Sequence, residues 1–190
     1  MEKLIVASGN KGKLKEISEI LKDKYEIVSM ADAGFKGDIE ENGKTFFENA
    51  LIKAKTISEF MQADALADDS GLCVEALDGA PGIYSARYAG EHGNDAANRA
   101  KLLKVLSGEE NRNAKFMCCV VLYRKDGTYI CGRGETLGKI GLKEEGNNGF
   151  GYDSVFISDD LHKSFGVSSD EEKNEVSHRK RALIDLLRQI

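Results

Sequence analysis

No stretch of the 190 residues approaches the roughly 20 consecutive apolar residues that span a bilayer. The opening "MEKLIVASGN" has neither the apolar centre nor the small-residue cleavage site of a signal peptide. A membrane or secreted destination is therefore not expected, and a cytoplasmic one is. Proline is almost missing, with one residue against 20 glycines, so neither a proline-rich linker nor a collagen-like repeat is present. The four cysteines, Cys73, Cys118, Cys119 and Cys131, form no C-x-x-C pair and have no histidine at metal spacing. Zinc is not expected, and buried thiols in a reducing compartment are. Excess positive charge is lacking too. The net charge of −5 argues against nucleic-acid binding driven by phosphate neutralisation, although it leaves room for a local basic pocket.

What is present reads as a single mixed α/β domain over residues 1–190. "KLIVAS", "YEIVSM" and "ADALADD" are β-rich runs, with "LCVEAL" a possible further strand. "KGKLKEISEILKDK" places Leu14, Ile17 and Leu21 at helical spacing. "GKTFFENALIKAKTISEFMQ" is a long amphipathic helix. "GAPGIYSARYAGEHG" has the composition of a loop. Residues 94–108 are a helix with Asn94 as N-cap and Gly108 at its stop. Residues 114–141 are a hairpin turning at Asp126-Gly127, and 177–190 are a last helix. Early strand–helix alternation followed by a hairpin predicts a mixed twisted sheet flanked by helices, in two lobes around a central cleft.

Local rules break in three places. Helix starts favour acidic residues, because the backbone dipole is positive there. The first helix instead begins with Lys11, Lys13 and Lys15, and the last follows Ser177 with His178, Arg179, Lys180 and Arg181. A bound anion would relieve both. "SGNKGK" is not a Walker A loop, since Gly9 and Gly12 are too close and Leu14 follows Lys13 where Ser or Thr is needed. On the long helix, at about 100° per residue, Lys53 falls inside the apolar arc of Phe46, Ala50, Ile57 and Met61. It either snorkels to water or pairs with something negative.

Carboxylates complete the pattern. Glu40-Glu41 precede that helix, and Asp68-Asp69 end a strand, where adjacent charges repel unless a cation compensates. Such oxygen ligands suit Mg²⁺ with a substrate phosphate. Phe150 or Tyr152 could stack on a nucleobase, with Asp153 accepting from it.

Taken together, "SGNKGK", "EENGKTFFENALIKA", "ADDSGL", "GAPGIYSARYAG", "GFGYD" and "EEKNEVSHR" resemble, in order, the inosine triphosphate pyrophosphatase family, from about residue 4 to the C-terminus. The resemblance implies a cytosolic homodimer that, with Mg²⁺, hydrolyses ITP, dITP and XTP to the monophosphate and pyrophosphate, acting on neither nucleic acid nor membrane. It implies that Ser8, Gly9, Asn10, Lys11, Gly12 and Lys13 cradle phosphates. Asp69, with Asp68 beside it, is the catalytic carboxylate and touches metal. Glu41 helps hold Mg²⁺, Lys53 faces the phosphates and Ser70 binds substrate. Phe150, Gly151, Tyr152, Asp153, Lys173, His178 and Arg179 form the base pocket. Two stretches depart from the family: Ser154 stands where proline is usual, and "KSFGVSSDEEKN" replaces a "KTFAEL"-like run before Lys173.

Overall fold

The computed structural model describes residues 2–190. Six strands form one mixed sheet in the order β2-β1-β3-β4-β5-β6. They are β1 (Glu2–Val6), β2 (Tyr25–Ser29), β3 (Ala65–Val74), β4 (Asn113–Tyr123), β5 (Tyr129–Ile140) and β6 (Phe156–Ser158). β1 pairs parallel with β2 and with β3, whereas β5 pairs antiparallel with β6. Parallel neighbours need crossovers of a dozen or more residues. The helices α1 (Lys11–Leu21) and α2 (Phe46–Met61) provide them. β4 and β5 are joined by the tight turn at Asp126-Gly127, where Arg124 N–H donates to the Thr128 carbonyl over 2.8 Å.

The expected elements form, with three differences, one of them a short 3-10 helix over Gly82–Arg87 in the expected loop. "ADALADD" and "LCVEAL" are one ten-residue strand, because Ser70-Gly71 continues the extended backbone instead of turning. A helix that the sequence reading missed, α4 (Asp170–Val176), starts at a capping box: the Ser169 hydroxyl accepts from Glu172 N–H, and the Glu172 side chain accepts from Ser169 N–H. It has only seven residues, too short for helical periodicity to register. Two further α-helices are α3 (Asp95–Val105), capped by Asn94 as expected, and α5 (His178–Leu187).

The chain divides into two compact units. The first comprises the chain up to Asp69, Cys118–Gly134 and Arg179–Ile190; the second comprises Ser70–Met117 and Glu135–His178. In the first, strand alternation sorts side chains to two cores. Leu4, Val6, Leu66, Cys118, Val120 and Leu122 pack on Ile17 and Leu21 of α1 and on Ala182, Leu183 and Leu186 of α5. The alternate positions Ala7, Ala65, Ala67 and Val121 pack on Ala50, Ala54 and Ile57 of α2. The second unit is built around Phe116, Phe156 and Phe165, with ring centroids 4.6 and 5.2 Å apart along that series through Phe156, together with Leu72, Leu102 and Ile140. Aromatic pairs of this kind contribute about 0.5–1.5 kcal/mol each beyond their buried area. All four cysteines are free thiols, with the Cys119 and Cys131 sulfurs 3.0 Å apart. Among the described residues, no helix is long and apolar enough to cross a membrane.

Candidate active site

The same alternation separates Asp68 from Asp69. Asp68 shares parity with Leu66 and takes the α1/α5 side; Asp69 shares parity with Ala65 and Ala67 and takes the α2 side. The two carboxylates thus meet different partners.

Asp68 is buried, and cations meet it at one carboxylate oxygen. Its Oδ2 accepts from Arg179 Nη2 at 3.0 Å and Nε at 3.2 Å, and Lys13 Nζ stands 3.2 Å away. Burial alone would raise its carboxyl. Lys13, Arg179 and Lys53 outweigh that and hold it well below the usual carboxylate range. Arg179 also donates through Nη1 to Glu16, a buried acid on α1. Sequence reading missed Glu16, although its i, i+3 spacing from Lys13 puts both on one flank of the helix. Arg179 was expected at the base. Its guanidinium is 1% exposed and engaged by two carboxylates.

Asp69 faces α2. Asn49 Nδ2 donates to its Oδ2 at 3.1 Å, and Lys53 Nζ lies 3.9 Å from its Oδ1. Lys53 also donates to Glu41 Oε2 at 3.0 Å. The lysine on the apolar arc therefore pairs with carboxylates rather than snorkelling. Asn49, four residues earlier on the same face, was the missed clue: a second polar group on a buried stripe. Burial pushes the Asp69 carboxyl up, against the pull of Lys53 and Lys13. Burial pulls the Lys53 ammonium down, but Asp69, Glu41 and Asp68 together raise it. Glu40, by contrast, is exposed.

Two hard oxygen donors, from Glu41 and Asp69, thus converge on one ammonium. That donor set fits Mg²⁺, which takes one or two carboxylates and fills its remaining positions with water and phosphate oxygens. Among the described residues, no group of three or more His, Cys, Asp or Glu side chains forms a closed metal cage. Asp68 Oδ1 is buried without a hydrogen-bond partner among the described residues.

At the start of α1, Asn10 caps the helix by accepting from Lys13 N–H at 3.1 Å, and Ser8 Oγ accepts from Asn10 N–H at 3.2 Å. The basic turn "SGNKGK" is thereby fixed, with Gly9, Asn10 and Lys11 exposed and Ser8, Gly12 and Lys13 half-buried. Ser70 follows Asp69 in β3, half-buried.

In the second unit, Asp153, Lys173 and Phe150 come together. Asp153 Oδ2 accepts from Lys173 Nζ at 2.7 Å and from Phe150 N–H at 2.8 Å. Lys173 Nζ also lies 4.6 Å from the Phe150 ring centre, within cation–π range. Tyr152 is buried, its hydroxyl donating to the Ser85 carbonyl at 2.8 Å; it is a core residue, not a free stacking platform. His178 is buried with its ring stacked on Phe116 at 4.8 Å. The stretch before Lys173 is knitted to this loop. Gly166 N–H donates to the Asp153 carbonyl, and Ser164 Oγ to the carbonyls of Glu145 and Asp153. A Cβ on Gly166 would stand 2.3 Å from the Glu145 oxygen and 2.7 Å from Ser154 Cα, so the close approach requires glycine.

Residues 4–189 match the Ham1 family. The chain is 49% identical to the dITP/XTP pyrophosphatase of Haemophilus influenzae over 96% of its length and 95% of that protein's. It is 47% identical to the one of Clostridium perfringens, covering 96% and 94%. Among solved structures, a Ham1 protein of Staphylococcus aureus superposes with a TM-score of 0.87 at 39% identity, covering 99% of this chain and 97% of that one. A HAM1 protein of Coxiella burnetii does so with a TM-score of 0.88 at 36% identity, covering 100% of both.

Proposed function

The chain belongs to the Ham1 family, and from that premise we propose that it is a nucleoside triphosphate pyrophosphatase. It acts on non-canonical purine nucleotides (ITP, dITP and XTP), releasing the monophosphate and pyrophosphate with Mg²⁺, in the cytoplasm and as a homodimer. The relatives named dITP/XTP pyrophosphatase support the substrate class. The observation that carries the chemistry is Lys53 Nζ, held between Glu41 Oε2 at 3.0 Å and Asp69 Oδ1 at 3.9 Å.

Attack on the α-phosphorus demands charge neutralisation and an oriented water more than covalent catalysis. Lys13, Lys53 and the capped start of α1 neutralise the phosphates. Asp69 takes the proton of the attacking water at a carboxylate oxygen, and Asn49 fixes that carboxylate's rotamer. Glu41 and Asp69 would hold Mg²⁺, which when bound screens the phosphate charge and orients its oxygens. Asp68 acts at one remove, by holding Lys13 and Arg179. Ser70 binds substrate. In the second unit, Phe150 offers its ring to the purine, while Asp153, Lys173 and His178 supply the polar contacts.

The test is a panel of ITP, dITP, XTP, GTP and ATP with Mg²⁺ and identification of products. Pyrophosphate released from ITP and XTP well ahead of GTP and ATP is the expected result. Hypoxanthine and xanthine present a 6-oxo acceptor and an N1–H donor where adenine presents a 6-amino donor and an N1 acceptor; guanine shares the first two and is excluded by its 2-amino group. A buried unpaired donor costs about 1–3 kcal/mol, so two mismatches give on the order of 10²-fold discrimination or more. Orthophosphate released from all five alike would overturn the reading.

Lys53→Met tests the phosphate role separately. It leaves Glu41 and Asp69 without the ammonium that lies between them. Turnover should fall at least about 10-fold, the loss of one charge partner in the transition state. Stability should drop by about 1–3 kcal/mol, the cost of stranding a buried polar partner. Mg²⁺ should then raise Tm more in the variant than in the wild type. Unchanged turnover would remove Lys53 from the phosphates.

A further inference from the structure

The loop that carries Phe150 and Asp153 contains Gly151, whose φ of +60° lies in the left-handed region. Glycine is the residue with the most conformational freedom to lose there, so something must fix it. Both of its backbone polar groups are taken by one helix face. Gly151 N–H donates to Asp95 Oδ2 at 2.9 Å, and Arg99 Nη1 donates to the Gly151 carbonyl at 2.8 Å. Asp95 and Arg99 lie four residues apart on α3 and so project from the same side. Arg99 continues the chain of contacts: its Nε donates to Glu144 Oε2 at 2.9 Å, and the same oxygen accepts from Ser154 Oγ at 3.0 Å. The loop is therefore tied at both ends. Ser154 restrains the loop through its hydroxyl.

We propose that Asp95 and Arg99, with Glu144, are positioning residues for base recognition. They touch no substrate; they set the direction of the Gly151 backbone, and through it the Phe150 ring and the Asp153 carboxylate. The inference rests on the base-site reading given above. Stability is not their main contribution, because the Glu144 side chain is 44% exposed and an ion pair so placed is worth little. The expected signature is thus a small change in Tm with a large change in KM.

The experiment compares kcat and KM for ITP and ATP, with Tm, in the wild type, Arg99→Met, Asp95→Ala and Asp95→Asn. Arg99→Met and Asp95→Ala should each raise KM for ITP at least about 10-fold, the scale of a misplaced contact. kcat should change little, as for lost ground-state binding, and the ITP-to-ATP ratio of kcat/KM should fall in step. Asp95→Asn keeps an oxygen that accepts from Gly151 N–H and should restore KM. Tm should shift by less than about 4 °C. If Arg99→Met does not fold, Asp95→Ala carries the same test, since it leaves the Arg99–Glu144 pair intact. A lower Tm with KM and the substrate ratio unchanged would reduce these residues to a structural role and overturn the inference alone. A wild type that releases no pyrophosphate from ITP would overturn the base-site reading, and this inference with it.

Discussion

Asp69→Asn is expected to lower turnover by at least about 10²-fold, the scale of a positioned general base, while the protein stays folded and still binds nucleotide. The replacement is nearly isosteric. Its amide oxygen can still accept from Asn49 Nδ2, which now stands 3.1 Å from Asp69 Oδ2, so the strand and α2 keep their contact. What is lost is a carboxylate able to accept a proton from water. Burial pushes the Asp69 carboxyl above its ordinary value of 3.8, which makes it a stronger base than an exposed aspartate. Wild-type kcat/KM should therefore decline on the acid side as Asp69 protonates. The residual activity of the variant should lack that limb. Turnover close to wild type in a folded variant would remove Asp69 from the mechanism.

Arg179→Met is expected to be the most destabilising single change in the first unit. It keeps most of the stem's volume but removes the cation that Asp68 and Glu16, both buried, share. Removing one member of a buried ionic group costs about 3–5 kcal/mol, because buried acids lose compensation. For a chain of this size that is a Tm lower by roughly 6–20 °C. Asp68→Asn combined with Arg179→Met should recover part of the loss, since residues in one ionic network are not additive. The pH dependence follows from the sign of the Asp68 shift. Its folded pKa is depressed, so its stabilisation is present above the ordinary value of 3.8 and is lost as pH falls through the folded value. Wild-type stability should fall through that acid range, and Arg179→Met should show a shallower fall. On activity, Arg179→Met should reduce kcat/KM for ITP and ATP equally, because its guanidinium holds Asp68 and Glu16. A selective loss on ITP would return Arg179 to the base pocket. Urea melts across pH and two-substrate kinetics check both statements.

Adjacent residues show how far a sequence carries. Periodicity alone marked Lys53 as misplaced on an apolar stripe, and the structure gives it carboxylate partners. Periodicity left open what those partners were, because Glu41 lies in an irregular segment 12 residues away and Asp69 in a strand. Asp68-Asp69 read as a pair sharing one cation. In a strand, neighbours point to opposite sides, and the pleat sends one to Arg179 and Lys13 and the other to Asn49 and Lys53. His178 and Arg179 likewise read as one basic helix start, yet the chain passes from the second unit to the first between them. One ring stacks on Phe116 while the other side chain joins Asp68.

The sequence by itself determined the mixed α/β class, the strand-forming runs and longer helices, the N-cap at Asn94, the Asp126-Gly127 turn and the family. All of these are written in local pattern: alternation, 3.6-residue spacing, turn chemistry and ordered motifs. Only the tertiary structure decided which charges meet. Arg179 and Asp68 are 111 residues apart and Arg179 and Glu16 are 163 apart, while Gly151 and its two holders on α3 are separated by more than 50. Contacts at such separations are set by how strands order in the sheet and by which side of it each helix packs on. Local pattern carries no record of either.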